Sequence, residues 1–276
     1  MTTQPGIDAQ CCAGTIDKGT PLGSVEDIAG HKVYVAAPVP ASFDNIVVIA
    51  TDVFGYTLPN TRLIADKFAA KGYYCIVPDY FKGTEPPADL MDDITNLGSK
   101  TASIGQKISG FGRMMWHMPG TAMRNNDEKN NAVIKEVIAA VKTTRGVKKV
   151  ALIGYCWGGN LAIKLAQQAD GVDVVVVNHP GGLSLTIPKD FTAIVKPILV
   201  ILSETDGQIK PKERDVIIET LNKRTEEVGL RQDVEWFEGV DHGFAVRGNE
   251  NDPHVNAQRE KAFDHALAWF EKEFNA

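Results

Sequence analysis

Continuous apolar runs of strand length alternate along this chain with amphipathic segments of helix length. The runs "NIVVIATDVFG" (45–55) and "VDVVVVNHP" (172–180) are nearly uninterrupted apolar stretches, as expected of strands covered on both faces. Between them, "EKNNAVIKEVIAAVKTTRG" (128–146) carries its apolar residues at helical spacing. Because strands that alternate with helices form βαβ units, this pattern predicts an α/β fold with a mostly parallel sheet and helices on both faces.

Further segments of both kinds are predicted along most of the chain. The strands are 31–38, 73–81, 147–155, 196–205 and 232–240, and the helices are 58–72, 157–169, 215–228 and 258–274. We therefore expect a sheet of about seven to eight strands.

Residues 82–127 differ in character from the rest of the chain. Gly, Pro and Ser are frequent there, the periodicity is poor, and methionines cluster with one Trp at 114–118. We expect a single domain over 31–276, with a lid-like excursion at about 82–127 and an N-terminal extension over 1–30.

Composition excludes several classes of function. The net charge of −6 and scattered Lys and Arg residues are not typical of a nucleic-acid-binding surface. No window approaches 18 apolar residues, so we expect no transmembrane helix and no membrane partner. The four cysteines do not form a disulfide framework and no secretory signal is visible, so a reducing, cytoplasmic location is expected. Cys11 and Cys12 are adjacent but lack the further ligands of a zinc site.

The stretch Gly154-Tyr155-Cys156-Trp157-Gly158 fits the pattern G-x-Nu-x-G, in which Nu is a nucleophile. A strand is predicted before it and a helix after it, which is the setting of a nucleophile elbow. The unpaired N–H groups and the positive dipole end of the helix favour a thiolate over a thiol. Cys156 is therefore predicted to be a nucleophile, the alternative being a small buried residue at a turn.

A cysteine nucleophile needs a base, and the base needs an orienting carboxylate. His242 follows a predicted strand and is the predicted base. Asp206 lies in a polar loop after another strand and is preferred to Glu204 and Asp241 as the acid. The other histidines are weaker candidates, with His179, at a strand end, as the runner-up and His31, His117, His254 and His265 behind it.

These residues together resemble the dienelactone hydrolase family of α/β-hydrolases. The resemblance runs from about residue 31 to the end, through the motifs "TDVFGY", "PDYF", "GYCWGG", "SETDG" and "DHGF". It implies an α/β-hydrolase fold, a triad of Cys156, His242 and Asp206, and hydrolysis of lactones or small esters through an acyl-thioester. The N-terminal "CC" resembles an extension of eukaryotic members.

The resemblance also implies roles for other residues. The backbone N–H groups of Val53 and Trp157 would form the oxyanion hole. Asp52 stands where the founding type has a glutamate that contacts the resting thiol, so it is a candidate for holding that thiol. The family binds a substrate carboxylate through arginines; Arg247 lies near the corresponding place, shifted by one, while Arg113 and Arg124 lie in the excursion. Candidates for the substrate pocket are Tyr56, Phe81, Trp116, Phe244 and Arg247.

The leading hypothesis is a cysteine hydrolase of lactones or small esters that requires no metal and no organic cofactor. A thioesterase or another acyl hydrolase would use the same triad and stays open. A non-catalytic binding protein on a hydrolase scaffold is the alternative from another class. The expected partner is a small-molecule substrate, with the protein a monomer or a homodimer.

Overall fold

One mixed sheet of eight strands forms the centre of the computed structural model, which describes residues 13–98, 101–182 and 184–276. The strands are β1 (Ser24–Ile28), β2 (His31–Ala36), β3 (Asn45–Ala50), β4 (Tyr74–Pro78), β5 (Lys149–Tyr155), β6 (Val174–Asn178), β7 (Ile198–Thr205) and β8 (Gln232–Asp241). Their order is β1-β2-β4-β3-β5-β6-β7-β8; β2 pairs antiparallel with both β1 and β4, and every other pairing is parallel. The predicted fold class and strand number are confirmed.

Helices cover both faces of the sheet, and each face has its own apolar cluster. The helices are α1 (Pro59–Ala70), α2 (Leu90–Gly98), α3 (Ile104–Arg124), α4 (Asp127–Arg145), α5 (Trp157–Ala166), α6 (Lys189–Thr192), α7 (Pro211–Val228), α8 (Phe244–Arg247) and α9 (Pro253–Phe274). Helices α4, α5 and α7 pack on one face, and α1 and α9 on the other. Within the described ranges, no helix is long and apolar enough to cross a membrane.

The segment 82–127 is mostly helical, in contrast to its poor sequence periodicity. Helix α3 begins at a capping box formed by Ser103 and Gln106, and it contains Pro119 in its interior. Leu90 and Met91 of α2 are fully buried in the cluster that also contains Cys156. The periodicity is poor because the outer side of α3 is itself apolar and exposed, so apolar residues do not mark a single buried face.

Residues 13–30, which the sequence analysis assigned to an extension, pack against the domain. They supply β1, a largely exposed edge strand. They also supply Asp17, whose carboxylate accepts hydrogen bonds of 3.1 and 2.6 Å from the guanidinium of Arg259 on α9. Cys11 and Cys12 lie outside the described residues.

Loss of the Asp17–Arg259 pair is expected to destabilise the fold. In Asp17→Ala the free energy of unfolding should fall by about 3 kcal/mol, because the largely buried guanidinium of Arg259 loses its counter-charge. Lys148→Ala is the matched control: it breaks an ion pair with Asp44 whose side chains are 70% and 63% exposed, and should cost less than about 1 kcal/mol. Urea denaturation measures both, and equal losses would contradict a structural role for the N-terminal segment.

Candidate active site

Cys156 occupies the sharp turn between β5 and α5. Its backbone has φ 52° and ψ −113°, a region that residues with a side chain rarely adopt. The turn is this tight because Gly154 and Gly158 bring backbone segments together: a Cβ on Gly158 would lie 2.1 Å from the Ala50 carbonyl oxygen, and one on Gly154 would lie 2.2 Å from that of Gly158. A side chain at either position would collide with backbone atoms, so both glycines of the G-x-Nu-x-G pattern are required.

Asp206 and His242 meet at the carboxyl ends of the adjacent strands β7 and β8. The Nδ1 atom of His242 lies 2.9 Å from an Asp206 carboxylate oxygen, and both side chains are buried. The other oxygen of Asp206 accepts a 2.7 Å hydrogen bond from the backbone N–H of Gln208. Glu204 points elsewhere and accepts from the backbone N–H of Gly239. The structure thus brings together the acid and base that the sequence analysis selected.

His242 interacts with Asp206 on one side and with Cys156 on the other. Burial lowers the pKa of His242, but the negative charges of Asp206 and of an ionised Cys156 outweigh it and raise the pKa to about 10. Burial raises the pKa of Asp206, yet His242 and the backbone N–H donors prevail and hold it below its usual range. The charge of Asp206 therefore favours the protonated form of His242 at neutral pH.

Asp52 and Arg247 form a fully buried ion pair near Cys156. The Arg247 Nε donates to an Asp52 carboxylate oxygen at 2.5 Å, and the backbone N–H of Phe54 donates to the other at 3.0 Å. Burial raises the pKa of Asp52, Arg247 opposes that rise, and a charged Cys156 adds to it. Arg247 also donates to the carbonyl of Ala13. Arg247 is thus held by protein groups, and its pairing with Asp52 was not predicted from the sequence.

The two backbone amides predicted to form an oxyanion hole belong to α5 and to the loop after β3. Trp157 is the first residue of α5, so its N–H has no acceptor within that helix. Val53 lies, buried, in the loop that follows β3. That loop is joined to the elbow by a 2.9 Å hydrogen bond from the Gly158 N–H to the Thr51 carbonyl.

The candidates for the substrate pocket do not form one group. Phe81 packs its ring 5.9 Å from the ring of Trp157, beside the elbow. Phe244 and Tyr56 belong to the apolar cluster on the opposite face. Trp116 is 81% exposed on α3, because it lies on the outward side of that helix.

His179, the runner-up for the base, lies beside His242. Their ring centroids are 5.0 Å apart, and His179 is fully buried at a strained φ of 36°. Burial lowers the pKa of His179 well below its usual range, and the positive charge of His242 adds to this effect. The neutral ring of His179 therefore packs against the ring of His242. Among the described residues, no group of three or more His, Cys, Asp or Glu side chains is arranged to hold a metal ion.

The eight-stranded sheet, its strand order and the strand–elbow–helix at Cys156 define an α/β-hydrolase fold. The sequence profile of the dienelactone hydrolase family matches residues 32–274, and the chain belongs to that family.

Similar proteins come from a fungus, an animal and metagenomic libraries. The chain is 27% identical to the hydrolase pyvD of Aspergillus violaceofuscus over 275 residues, which is 98% of each chain. It is 30% identical to the carboxymethylenebutenolidase homolog of Xenopus tropicalis over 260 residues, 92% of each. The solved structure of a dienelactone hydrolase-like promiscuous phosphotriesterase from metagenomic libraries has a TM-score of 0.59 at 15% identity, and the alignment covers 92% of this chain and 99% of that one. This last likeness concerns the fold alone.

The close approach at Gly158 can be tested with two alanine substitutions. Gly158→Ala should lower the free energy of unfolding by at least about 3 kcal/mol, because the new methyl group meets backbone atoms that cannot move aside. Gly112→Ala, on exposed α3 with open space around it, should instead stabilise by about 0.5–1 kcal/mol. A Gly158→Ala protein as stable as the parent in chemical denaturation would rule out the tight elbow.

Proposed function

We propose that this protein hydrolyses lactones or small carboxylic esters through a thioester on Cys156. One observation carries the proposal: a cysteine in a strained elbow interacts with a buried histidine, and a carboxylate at 2.9 Å orients that histidine. Membership of the dienelactone hydrolase family supports hydrolase chemistry. The proposed reaction uses protein groups alone, without a metal or an organic cofactor.

In the first half-reaction the Cys156 thiolate attacks the carbonyl carbon and forms a C–S bond. The carbonyl electron pair moves to oxygen, which accepts hydrogen bonds from the backbone N–H groups of Val53 and Trp157. When the C=O bond re-forms, the C–O bond to the alcohol breaks, and His242 gives its proton to the departing oxygen. Asp206 holds the imidazole in place and stabilises its charged form.

In the second half-reaction neutral His242 takes a proton from water, and the water oxygen attacks the thioester carbonyl. Collapse of this intermediate breaks the C–S bond and releases the carboxylic acid. The thiolate and the imidazolium of His242 are regenerated together, so the cycle closes without a further proton donor.

We further propose that Asp52 acts on the resting thiol through its charge. Its carboxylate is already engaged by Arg247 and by the backbone N–H of Phe54, yet it interacts electrostatically with Cys156. A buried negative charge beside the sulfur disfavours a second one, and Arg247 moderates this effect. The side chain is one methylene shorter than the family's glutamate, and its position is compatible with this role.

Access to the thiol requires movement, because Cys156 is only 2% exposed. We propose that α2 and α3 act as the lid. Met91 of α2 and Met118 of α3 belong to the same apolar cluster as Cys156 and Trp157, whereas much of α3 faces outward. Displacement of these two helices would expose the elbow without disturbing the sheet.

Replacement of the nucleophile tests the proposal directly. Cys156→Ala should abolish hydrolysis of p-nitrophenyl acetate, whereas Cys75→Ala, at a second buried cysteine, should retain turnover. Cys156 should also react with iodoacetamide faster than Cys75, because burial raises the pKa of Cys75 well above its usual range. Undiminished turnover in Cys156→Ala would overturn the mechanism.

The pH dependence of kcat/KM should report the charge of His242. Activity should fall at high pH with an apparent pKa of about 10, as His242 loses the proton that the leaving group needs. Asp206→Asn removes a charge that raises this pKa, so the alkaline limb should move to lower pH and kcat should fall about 10²- to 10⁴-fold. Glu204→Gln, two residues away, should leave the profile in place. An alkaline limb unmoved by Asp206→Asn would contradict the assignment.

A further inference from the structure

Helix α3 has an outer face that is apolar and exposed along its length. At about 100° per residue, this face covers roughly 140° of the helix surface and contains no charged side chain. Its large side chains are each more than half exposed; they are Ile104, Ile108, Phe111, Met115, Trp116 and Met123. We refer to these six side chains as the outer face of α3. A helix on a folded domain ordinarily exposes polar residues on this side, so the outer face is suited to a second surface that covers it.

The inner side of α3 is bound to the domain, so the helix cannot turn to bury its outer face. Gly110 lies against the backbone of α2: a Cβ at this position would lie 2.7 Å from the carbonyl oxygen of Asp93. Arg113 forms an ion pair with the Asp93 carboxylate. Near the other end of α3, the Thr121 hydroxyl donates to the carbonyl of Thr84 at 2.9 Å. The outer face therefore stays directed away from the part of the chain that the structure describes.

The area of the outer face matches one side of a protein–protein interface. At roughly 150 Å² of exposed surface per side chain, the six residues present about 900 Å². The largest apolar patch of a typical monomer covers about 300–600 Å², whereas each partner in a standard interface buries about 800 Å². Trp, Phe and Met are also residue types that are enriched at interfaces. The outer face is thus large enough to support a stable complex.

Four residues of the outer face follow the spacing of a seam between two helices. Ile104, Ile108, Phe111 and Met115 succeed one another at steps of four, three and four residues. This is the spacing of the a and d positions of a coiled coil, where apolar side chains pack against those of a facing helix. The spacing therefore indicates that the occupant is the apolar face of another helix.

A second copy of this chain supplies such a face. In a two-fold symmetric pair the same surface lies on both sides, so an uncharged apolar face meets its equal and no charge is buried. A lipid surface is a poorer match, because helices that bind membranes carry many Lys and Arg residues beside their apolar face. Here the neighbouring α2 carries Asp92 and Asp93, and Arg113 is already paired with Asp89 and Asp93.

We propose that the outer face of α3 is a self-association surface, through which two copies of this chain form a dimer with α3 packed against α3. The four seam residues lie at the centre of the contact, and Trp116 and Met123 extend it along the helix. The proposal is independent of the proposed function, because it uses none of the residues of the proposed reaction.

Molecular mass in solution tests the proposal. In sedimentation velocity over a dilution series of about a hundredfold, the parent should have twice the mass of a single chain at high concentration and approach the single-chain mass on dilution. Ile108→Lys places a charge within the seam and should raise the dissociation constant about tenfold or more. The matched control is Val228→Lys, the same change at a 58% exposed position at the end of α7, and should associate as the parent does.

Two results of this experiment would overturn the proposal. One is a parent protein that stays monomeric at every concentration. The other is an Ile108→Lys protein that associates as tightly as the parent. Far-UV circular dichroism shows whether both lysine variants keep the parent's fold.

The fluorescence of Trp116 locates the contact without a charge substitution. Trp116 is 81% exposed in the single chain, so quenching by acrylamide should be weak in the dimer and increase on dilution, in step with the fall in mass. Trp116→Phe keeps an apolar side chain and should still dimerise, but its quenching should no longer depend on dilution. If parent quenching is constant while the mass changes, the interface lies elsewhere and the proposal is wrong.

Vesicles distinguish a second copy of the chain from a lipid surface. The dimeric parent should not co-sediment with vesicles of phosphatidylcholine, alone or mixed with phosphatidylserine. A parent that is monomeric in solution and co-sediments with either kind of vesicle, with binding lost in Ile108→Lys, would assign the outer face to a lipid surface and refute self-association.

Discussion

The contact between the start of α5 and the end of β3 is the constraint on which the site depends. The Gly158 N–H donates to the Thr51 carbonyl at 2.9 Å, and no side chain at position 158 would leave room for that approach. This contact sets the position of the loop that carries Asp52 and Val53 relative to the strained backbone of Cys156. The proposed nucleophile, the proposed oxyanion donors and the buried carboxylate of Asp52 thus all lie at one junction of the backbone.

Much of the fold and the core of the candidate site could be predicted, because a parallel sheet brings the loops after its strands to the same edge. The carboxyl ends of parallel strands meet at one edge of the sheet, so Cys156 after β5, Asp206 after β7 and His242 after β8 were expected to lie together. Cys156 and Asp206 also follow strongly apolar runs, which makes the ends of β5 and β7 easy to locate. The loops that separate these three residues in sequence add little uncertainty, since only the strand ends matter.

Other features could not be predicted, for physical reasons that differ between them. β1 is a largely exposed edge strand without an apolar face. The sequence of helix α3 lacks a clear helical period because its outer side is apolar and exposed. Its glycines and Pro119 are also residues that are uncommon inside helices. The ion pair of Asp52 with Arg247 joins residues 195 positions apart, and no local pattern indicates that a charged side chain will be fully buried. Such pairings follow from tertiary packing alone.

The buried charges around Cys156 form an alternating arrangement, which explains how several ionised groups coexist in an apolar interior. His242 stands between Cys156 and Asp206, while Arg247 neutralises Asp52. Removing any one of these charges leaves its neighbour uncompensated, where an unpaired charge is costly. Arg247 is therefore already paired with protein groups, and it would have to break its ion pair with Asp52 in order to bind a substrate anion.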